Sequence, residues 1–170
     1  MKKVFSVLLL CFVVISAKAQ ESFQVPALTD ADKHARAVFQ TDGFILNTIN
    51  YAKSLGKTVE DVASFTGEQF KFTWNKEEGF SALVNGTLYN WSCFTPNSKI
   101  EILQQSGTMV KFKANTISPN LKKDGQQFGV TYDDYLTFTR IVHEKIAEYF
   151  GADYSQTTTD DGMIITIKKK

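Results

Sequence analysis

The chain has 170 residues and a formal net charge of +1 at pH 7, and 43% of its residues are hydrophobic and 13% aromatic. This composition excludes a disordered tail, because so many apolar side chains can fill a core. The near-neutral charge argues against nucleic acid as a partner, since an electrostatic nucleic-acid binder needs a basic surface. The length indicates one domain.

Residues 1–19 have the pattern of a secretory signal peptide. Lys2 and Lys3 form the positive segment, residues 4–15 are an apolar stretch, and Ala17 and Ala19 supply the small residues of a cleavage site. A membrane anchor is disfavoured, because a spanning helix needs about 20 apolar residues. We therefore predict a periplasmic or secreted protein, a single α+β domain at residues 20–170, and no stable membrane span after cleavage.

Removal of residues 1–19 changes the charge and the thiol content of the chain. Lys and Arg fall from 19 to 16 against 18 Asp and Glu, so the formal net charge changes from +1 to −2. Cys93 becomes the one remaining cysteine, which excludes a disulfide framework within the chain. Gln20, directly after the cleavage site, resembles the same position in exported proteins of Bacteroidetes-type bacteria.

Three threonines each precede an amphipathic segment. Thr29, Thr58 and Thr131 stand three positions before an aspartate, which is the spacing of a capping box at a helix start. Apolar residues then recur at three- and four-residue steps, which predicts helices over residues 30–54, 59–74 and 132–150. Gly43, in the middle of the first helix, marks a bend or a close contact.

Residues 80–91 fit two different patterns. Asn85-Gly86 is a strong hairpin dipeptide, which favours a turn between two short strands. The apolar residues of the segment nevertheless share one helical face better than they fit either strand: Phe80, Leu83, Val84, Leu88 and Trp91. We favour a third helix, and a hairpin added to the sheet is the alternative.

Alternating apolar and polar residues predict two hairpins. Residues 99–104 and 108–115 form the first, and residues 154–159 and 163–168 form the second, with Gly107 and Gly162 at their turns. Two hairpins can join into one sheet whose apolar face requires cover. We therefore predict an α+β fold, in which three to four helices cover mainly one face of a four-stranded antiparallel sheet.

Residues 99–168 resemble the C-terminal half of the 4-vinyl-reductase-type, hydrocarbon-binding domains, and the helix pair before them fits the same order. This family belongs with a wider ligand-binding fold that includes haem-binding nitric-oxide sensors. The matching residues are IEIL at 100–103, VKF at 110–112, IVHEKIAEYFG at 141–151 and DGMII at 161–165. The resemblance implies a pocket between sheet and helices for a small, largely apolar ligand. The cysteines that this family places around its closing hairpin are replaced here by Thr157, Thr158 and Asp161, so no thiol or metal chemistry is transferred.

The motifs for metal binding and catalysis are incomplete. His143 begins a sequence like the zinc-protease helix motif, but Ala147 replaces its second histidine. Ser81 starts a sequence like a nucleophile elbow, but Leu83 replaces its second glycine. Cys93 has aromatic neighbours, so we interpret it as a small buried hydrophobe. We therefore expect no metal, no cofactor and no catalytic residue.

Aromatic residues cluster between positions 70 and 94. Core packing explains such a cluster, and the functional interpretation is that part of it lines an apolar pocket for a small molecule. His143 is either a flank residue of the last helix or a polar group at the pocket lip, able to change charge near neutral pH. The residues predicted to contact the ligand are Trp74, Tyr89, Asn90, Trp91, Phe94 and His143.

These observations predict an exported module whose partner is a small apolar molecule, and they favour a non-enzymatic role. One alternative is an interaction or structural domain without a ligand, which requires an exposed apolar patch. The other alternative is a hydrolase that uses Cys93 or His143, since thiols and imidazoles are common nucleophiles and bases.

Overall fold

The computed structural model describes residues 26–95 and 98–170. The predicted signal peptide at residues 1–19 lies outside the described residues, and so does residue 20 with the predicted cleavage site. Within the described part, the chain is α+β and contains a four-stranded antiparallel sheet and a separate two-stranded sheet. The predictions of an α+β fold and of a four-stranded antiparallel sheet are confirmed.

Five α-helices are present in the described part of the chain: α1 Asp30–Ser54, α2 Val59–Phe70, α3 Gly79–Cys93, α4 Pro119–Asp124 and α5 Tyr132–Tyr149. Two 3-10 turns, Lys71–Thr73 and Lys76–Glu78, connect α2 to α3. Residues 80–91 are helical, so the hairpin alternative is wrong. The prediction that helix two reaches residue 74 is also wrong, because the backbone tightens into a 3-10 turn after Phe70.

The strands are β1 Ile100–Gln105, β2 Met109–Ala114, β3 Gln126–Gln127, β4 Val130–Thr131, β5 Ala152–Thr159 and β6 Gly162–Lys169. The four-stranded sheet has the order β1-β2-β6-β5, with every pair antiparallel. Phe112 of β2 lies opposite Ile165 of β6 at the centre of the sheet. The short strands β3 and β4 pair with each other directly before α5.

The three predicted capping boxes are all formed. The backbone N–H groups of Asp32, Asp61 and Asp134 donate to the threonine hydroxyls at 3.2, 3.1 and 3.1 Å. In return the three aspartate carboxylates accept from the threonine N–H groups at 2.9, 3.0 and 2.9 Å. Each box pairs two backbone donors that would otherwise have no partner at a helix start.

One face of the sheet belongs to the core. Side chains alternate across a strand, so every second residue of β2 and β6 is buried: Val110, Phe112 and Ala114, then Met163, Ile165 and Ile167. Lys111 and Lys113 point to the opposite face and are partly exposed. Strand β1 is an exposed edge strand, and its pairing with β2 shifts register at Leu103.

Helix α5 packs against both α2 and strand β5. The approach to α2 is close at Gly67, where an added Cβ atom would lie 2.6 Å from Cβ of Lys145 and 3.1 Å from the carbonyl oxygen of Val142. A hydrogen at this position lets the two helix backbones approach, so Gly67 sets the distance between α2 and α5.

Helix α1 is attached to the core mainly through its C-terminal half. Its buried residues are Leu46, Ile49 and Ala52, whereas most side chains before residue 45 are exposed. Two polar contacts add to this attachment: the Tyr135 hydroxyl donates to Asp42 at 2.6 Å, and Lys53 pairs with Asp134 at 3.0 Å. Gly43 has no atom within 4 Å of the position of an added Cβ, so the expected close contact there is absent.

Replacing the capping threonine of α5 should destabilise the protein. We expect Thr131→Ala to lower the free energy of unfolding by about 1 kcal/mol, because the Asp134 N–H loses its acceptor at the start of a core helix. Thr29→Ala is the matched control, since it removes the same box from the exposed start of α1 and should cost less. Urea unfolding of both variants measures the difference, and equal losses would contradict this account.

Two glycine substitutions within helices should have effects of opposite sign. Gly67→Ala should lower the free energy of unfolding by about 1–3 kcal/mol, because the new methyl group overpacks the contact between α2 and α5. Gly43→Ala has open space and should raise it by up to about 1 kcal/mol, since alanine favours helix over glycine. Thermal or urea unfolding provides the comparison. A neutral Gly67→Ala variant would mean that α2 and α5 can separate without cost.

Candidate functional site

An apolar cavity of about 510 Å³ lies between helices α1, α2, α3 and α5. Its size is within the range of about 300–1,000 Å³ that is usual for small-molecule sites. The apolar part of its lining comes from three of these helices and from two residues outside them: Phe44, Ile45, Phe70, Trp74, Phe94, Phe138, Val142 and Ile146. The helices thus form a partly open, mainly apolar cavity whose lining is chemically suited to a hydrocarbon-rich molecule.

Four of the six residues predicted to contact a ligand line this cavity: Trp74, Asn90, Phe94 and His143. Tyr89 does not line it, because its side chain is exposed on α3 and faces an adjoining cavity of about 680 Å³. Trp91 does not line it either. Its side chain is only 1% exposed and packs behind the cavity against Phe94 and the His143 ring.

Sequence reasoning did not identify the cavity residues that α1 contributes. Phe44, Ile45 and Thr48 come from a helix far from the aromatic cluster in sequence, and no local pattern marks them. Phe138 and Ile146 belong to the amphipathic stripe of α5, which would usually indicate core packing. The apolar stripe of α5 therefore indicated that these two residues face the interior, but such a stripe does not distinguish a core face from a cavity wall.

The position of the cavity differs from the position that the family resemblance implied. A pocket between sheet and helices was expected, whereas all of the residues that line this cavity lie in helices or in the segments that directly follow them. The sheet approaches the cavity through His143, whose ring stacks on Tyr154 of β5 with centroids 5.1 Å apart. The cavity is thus a space among helices, with one histidine between it and the sheet.

His143 is buried, with 6% of its surface exposed. Its Nδ1 atom lies 2.7 Å from the carbonyl oxygen of Thr139, one turn earlier in α5. Its Nε2 atom is hidden from solvent and has no hydrogen-bond partner among the described residues. The flank interpretation of His143 is therefore wrong, since the ring is surrounded by Tyr154, Phe94 and Trp91.

Burial lowers the pKa of His143 below its usual value, and the hydrogen bond to the Thr139 carbonyl opposes this shift only partly. Burial disfavours the charged imidazolium because the surrounding aromatic rings cannot replace its hydration. The neutral ring therefore dominates at neutral pH, so His143 does not supply the change of charge that the sequence suggested.

Trp74 forms a wall that the two neighbouring cavities share. Its indole lies directly on α3, where a Cβ added to Gly86 would be 2.3 Å from the ring atom Cζ3. Phe150 holds the same indole from another side, edge to face at 6.3 Å. Gly86 of the Asn85-Gly86 pair therefore serves helix packing, because only glycine leaves room for the tryptophan ring.

Cys93 is exposed, so its expected burial is wrong. It stands at the last position of α3 and lines a smaller cavity of about 280 Å³, together with His34 and Asp42. The His34 Nε2 atom lies 3.3 Å from the Cys93 carbonyl oxygen, which is a backbone contact. The thiol does not form a hydrogen bond with His143, so the structure does not assemble a cysteine–histidine pair from these two residues.

Metal ligands do not converge in the described ranges. Residues 26–95 and 98–170 contain no group of three or more His, Cys, Asp or Glu side chains placed to hold a metal ion. Over the same ranges, no helix is both long and apolar enough to cross a membrane.

Acidification should destabilise the protein through His143. Its pKa is lowered in the folded state, so below about pH 6.5 the unfolded chain binds more protons and the free energy of unfolding falls. Urea unfolding from about pH 7 to about pH 5.5 should show this loss, and His143→Phe should remove it. His34→Gln is the control and should retain the loss, whereas an unchanged slope in His143→Phe would assign it to other groups.

No protein-family model matches the chain, and no curated protein matches it either. The chemistry of the cavity and of its buried histidine is therefore the basis for assigning a function.

Proposed function

We propose that this protein is an exported module that binds a small apolar ligand in the cavity between α1, α2, α3 and α5. The observation that carries the proposal is the cavity itself, since a volume of about 510 Å³ with a mainly hydrocarbon and aromatic lining favours apolar molecules. Trp74, Asn90, Phe94 and His143 are the proposed contact residues. Tyr89 and Trp91 support the site from outside its lining.

The setting of this site is also part of the proposal. Residues 1–19 direct export to the periplasm or the exterior, and residues 20–170 form the single mature domain. The helices cover mainly one face of the four-stranded sheet, and the cavity lies within that helical layer. The likeness to the 4-vinyl-reductase-type, hydrocarbon-binding domains supports an apolar ligand, although the cavity proposed here is among helices.

Burial of the ligand explains the expected selectivity for apolar molecules. Each CH₂ group removed from water contributes roughly 0.8 kcal/mol, and this gain is offset by the lost freedom of the bound molecule. Neutral molecules with several such groups are therefore favoured. A charged group would be costly there, because it would leave water without a partner of opposite charge.

A second candidate function is an interaction domain, and exposed apolar side chains along α1 favour it. Phe44 also lines the cavity, and Leu55 directly follows α1. Together with Tyr51 they follow one another at seven- and four-residue steps, which places them along one side of the helix. The side chains of Phe44, Tyr51 and Leu55 are 74%, 67% and 60% exposed. An exposed aromatic stripe of this kind is typical of a surface that contacts another protein, and it predicts self-association or capture of a partner.

Filling the cavity should abolish binding of an apolar probe. We expect Thr48→Trp to weaken the binding of Nile red, a neutral apolar dye, by at least about tenfold, because the indole would occupy the space between α1 and α5. Asn47→Trp is the matched control, since it places the same ring at an exposed position of α1 outside the cavity lining. Fluorescence titration measures both affinities.

Equal affinities of the two variants would contradict the proposal, and so would a wild-type protein that does not bind the dye. Native mass spectrometry of the protein purified from its own host provides a second measurement. Extra mass that is retained under gentle conditions and lost on denaturation would give the size of the natural ligand. A stable dimer without extra mass would favour the interaction domain instead.

A further inference from the structure

The hydroxyls of the four threonines around the cavity all donate their hydrogen atoms to backbone carbonyl groups. Thr41, Thr48, Thr66 and Thr139 each donate to a backbone carbonyl oxygen of their own helix, at distances between 2.8 and 3.0 Å. A carbonyl oxygen can only accept, so the direction of these bonds is settled by chemistry. Towards a bound molecule, these four hydroxyls can therefore act only as hydrogen-bond acceptors.

The His143 ring also presents a hydrogen-bond acceptor and no free donor. Its Nδ1 atom lies 2.7 Å from a carbonyl oxygen, so Nδ1 must carry a hydrogen and donate it. In the neutral ring this leaves Nε2 without a hydrogen, as an acceptor. Nε2 is buried and has no partner among the described residues. An unpaired buried acceptor is unfavourable, and a bound donor would relieve this cost.

Phe94 and His143 are neighbours in the lining of the cavity. The phenyl ring meets the imidazole edge to face at 6.0 Å, and Phe94 is only partly buried directly after α3. Because Nε2 itself is hidden from solvent, a ligand reaches it only after a shift of one of these two rings.

The cavity offers few groups that could hold an acceptor or a charge. None of its lining residues in the described part of the chain is charged, and the Asn90 side chain is the one lining group with unassigned amide donors. The indole Nε1 of Trp91 is a buried donor close to the Tyr154 side chain, but Trp91 does not line the cavity. A carboxylate or a phosphate would therefore enter without a cation to balance it.

We propose that the ligand of this cavity is a neutral apolar alcohol, whose hydroxyl donates a hydrogen bond to Nε2 of His143 while its hydrocarbon part lies among the aromatic residues. This assignment rests on the proposed binding function and narrows it to one chemical class. His143 selects for the hydroxyl, because a ligand without a donor leaves Nε2 unpaired. The apolar walls select against ions of either sign.

Three probes that each contain a ten-carbon chain test this selectivity: decanol, decyl methyl ether and decanoate. Their displacement of Nile red from the wild-type protein gives their relative affinities. We expect decanol to bind at least about tenfold more tightly than the ether, which accepts but cannot donate, and than the charged decanoate. In His143→Phe, which keeps an aromatic ring beside Tyr154, the preference for decanol over the ether should fall to about one.

Nitrogen NMR of the histidine side chains provides a readout that does not depend on a variant. The chain has two histidines, and His34→Gln leaves the His143 signals for assignment. Decanol should shift the resonance of the unprotonated Nε2, while Nδ1 remains protonated. The ether should leave both resonances in place.

The possible failures are distinguishable. If no probe displaces Nile red, or if the dye does not bind, the proposed binding function fails together with this assignment. If decanol and the ether displace it equally, or if decanoate binds best, the cavity binds apolar molecules but the hydroxyl assignment is overturned. A protonated Nε2 in the free protein would also overturn it.

Discussion

The close contact between α2 and α5 is the constraint on which the rest of this structure depends. Gly67 lets the two backbones approach so closely that Cβ of Lys145 occupies the space that a side chain at position 67 would need. The opposite side of α5 packs on β5, so this one helix connects the helical layer with the sheet. Because α5 also carries Phe138, His143 and Ile146, the same contact determines where the cavity floor lies.

Helix α1 packs less closely on the other helices than α2 packs on α5. Its buried residues, Leu46, Ile49 and Ala52, lie in its second half, whereas the preceding turns meet α3 and α5 through polar contacts of His34 and Asp42. Phe44 and Thr48 consequently form a wall and not a core contact. The cavity thus combines residues of the closely packed pair α2 and α5 with residues of the less closely packed α1.

Much of the fold was predictable because its signals are local. The capping boxes at Thr29, Thr58 and Thr131 and the apolar periodicity behind them are properties of a few neighbouring residues. Helix α4 was missed because six residues are too few to establish a period, and the pair β3–β4 was missed for the same reason. For the site, Trp74, Asn90, Phe94 and His143 were predictable as a cluster, whereas the residues of α1 join it only through long-range packing.

The sequence by itself determined the order of the main elements and the starts of the three capped helices, since hydrogen bonding at helix starts and side-chain alternation act over a few residues. Tertiary structure alone decided which side of each element is enclosed. Tyr89 and Trp91 are two positions apart on α3, yet one is exposed and the other buried, because helix neighbours two apart face different surroundings. The role of His143 was decided in the same way: the rings of Trp91, Phe94 and Tyr154 exclude water from it, so it remains a neutral acceptor.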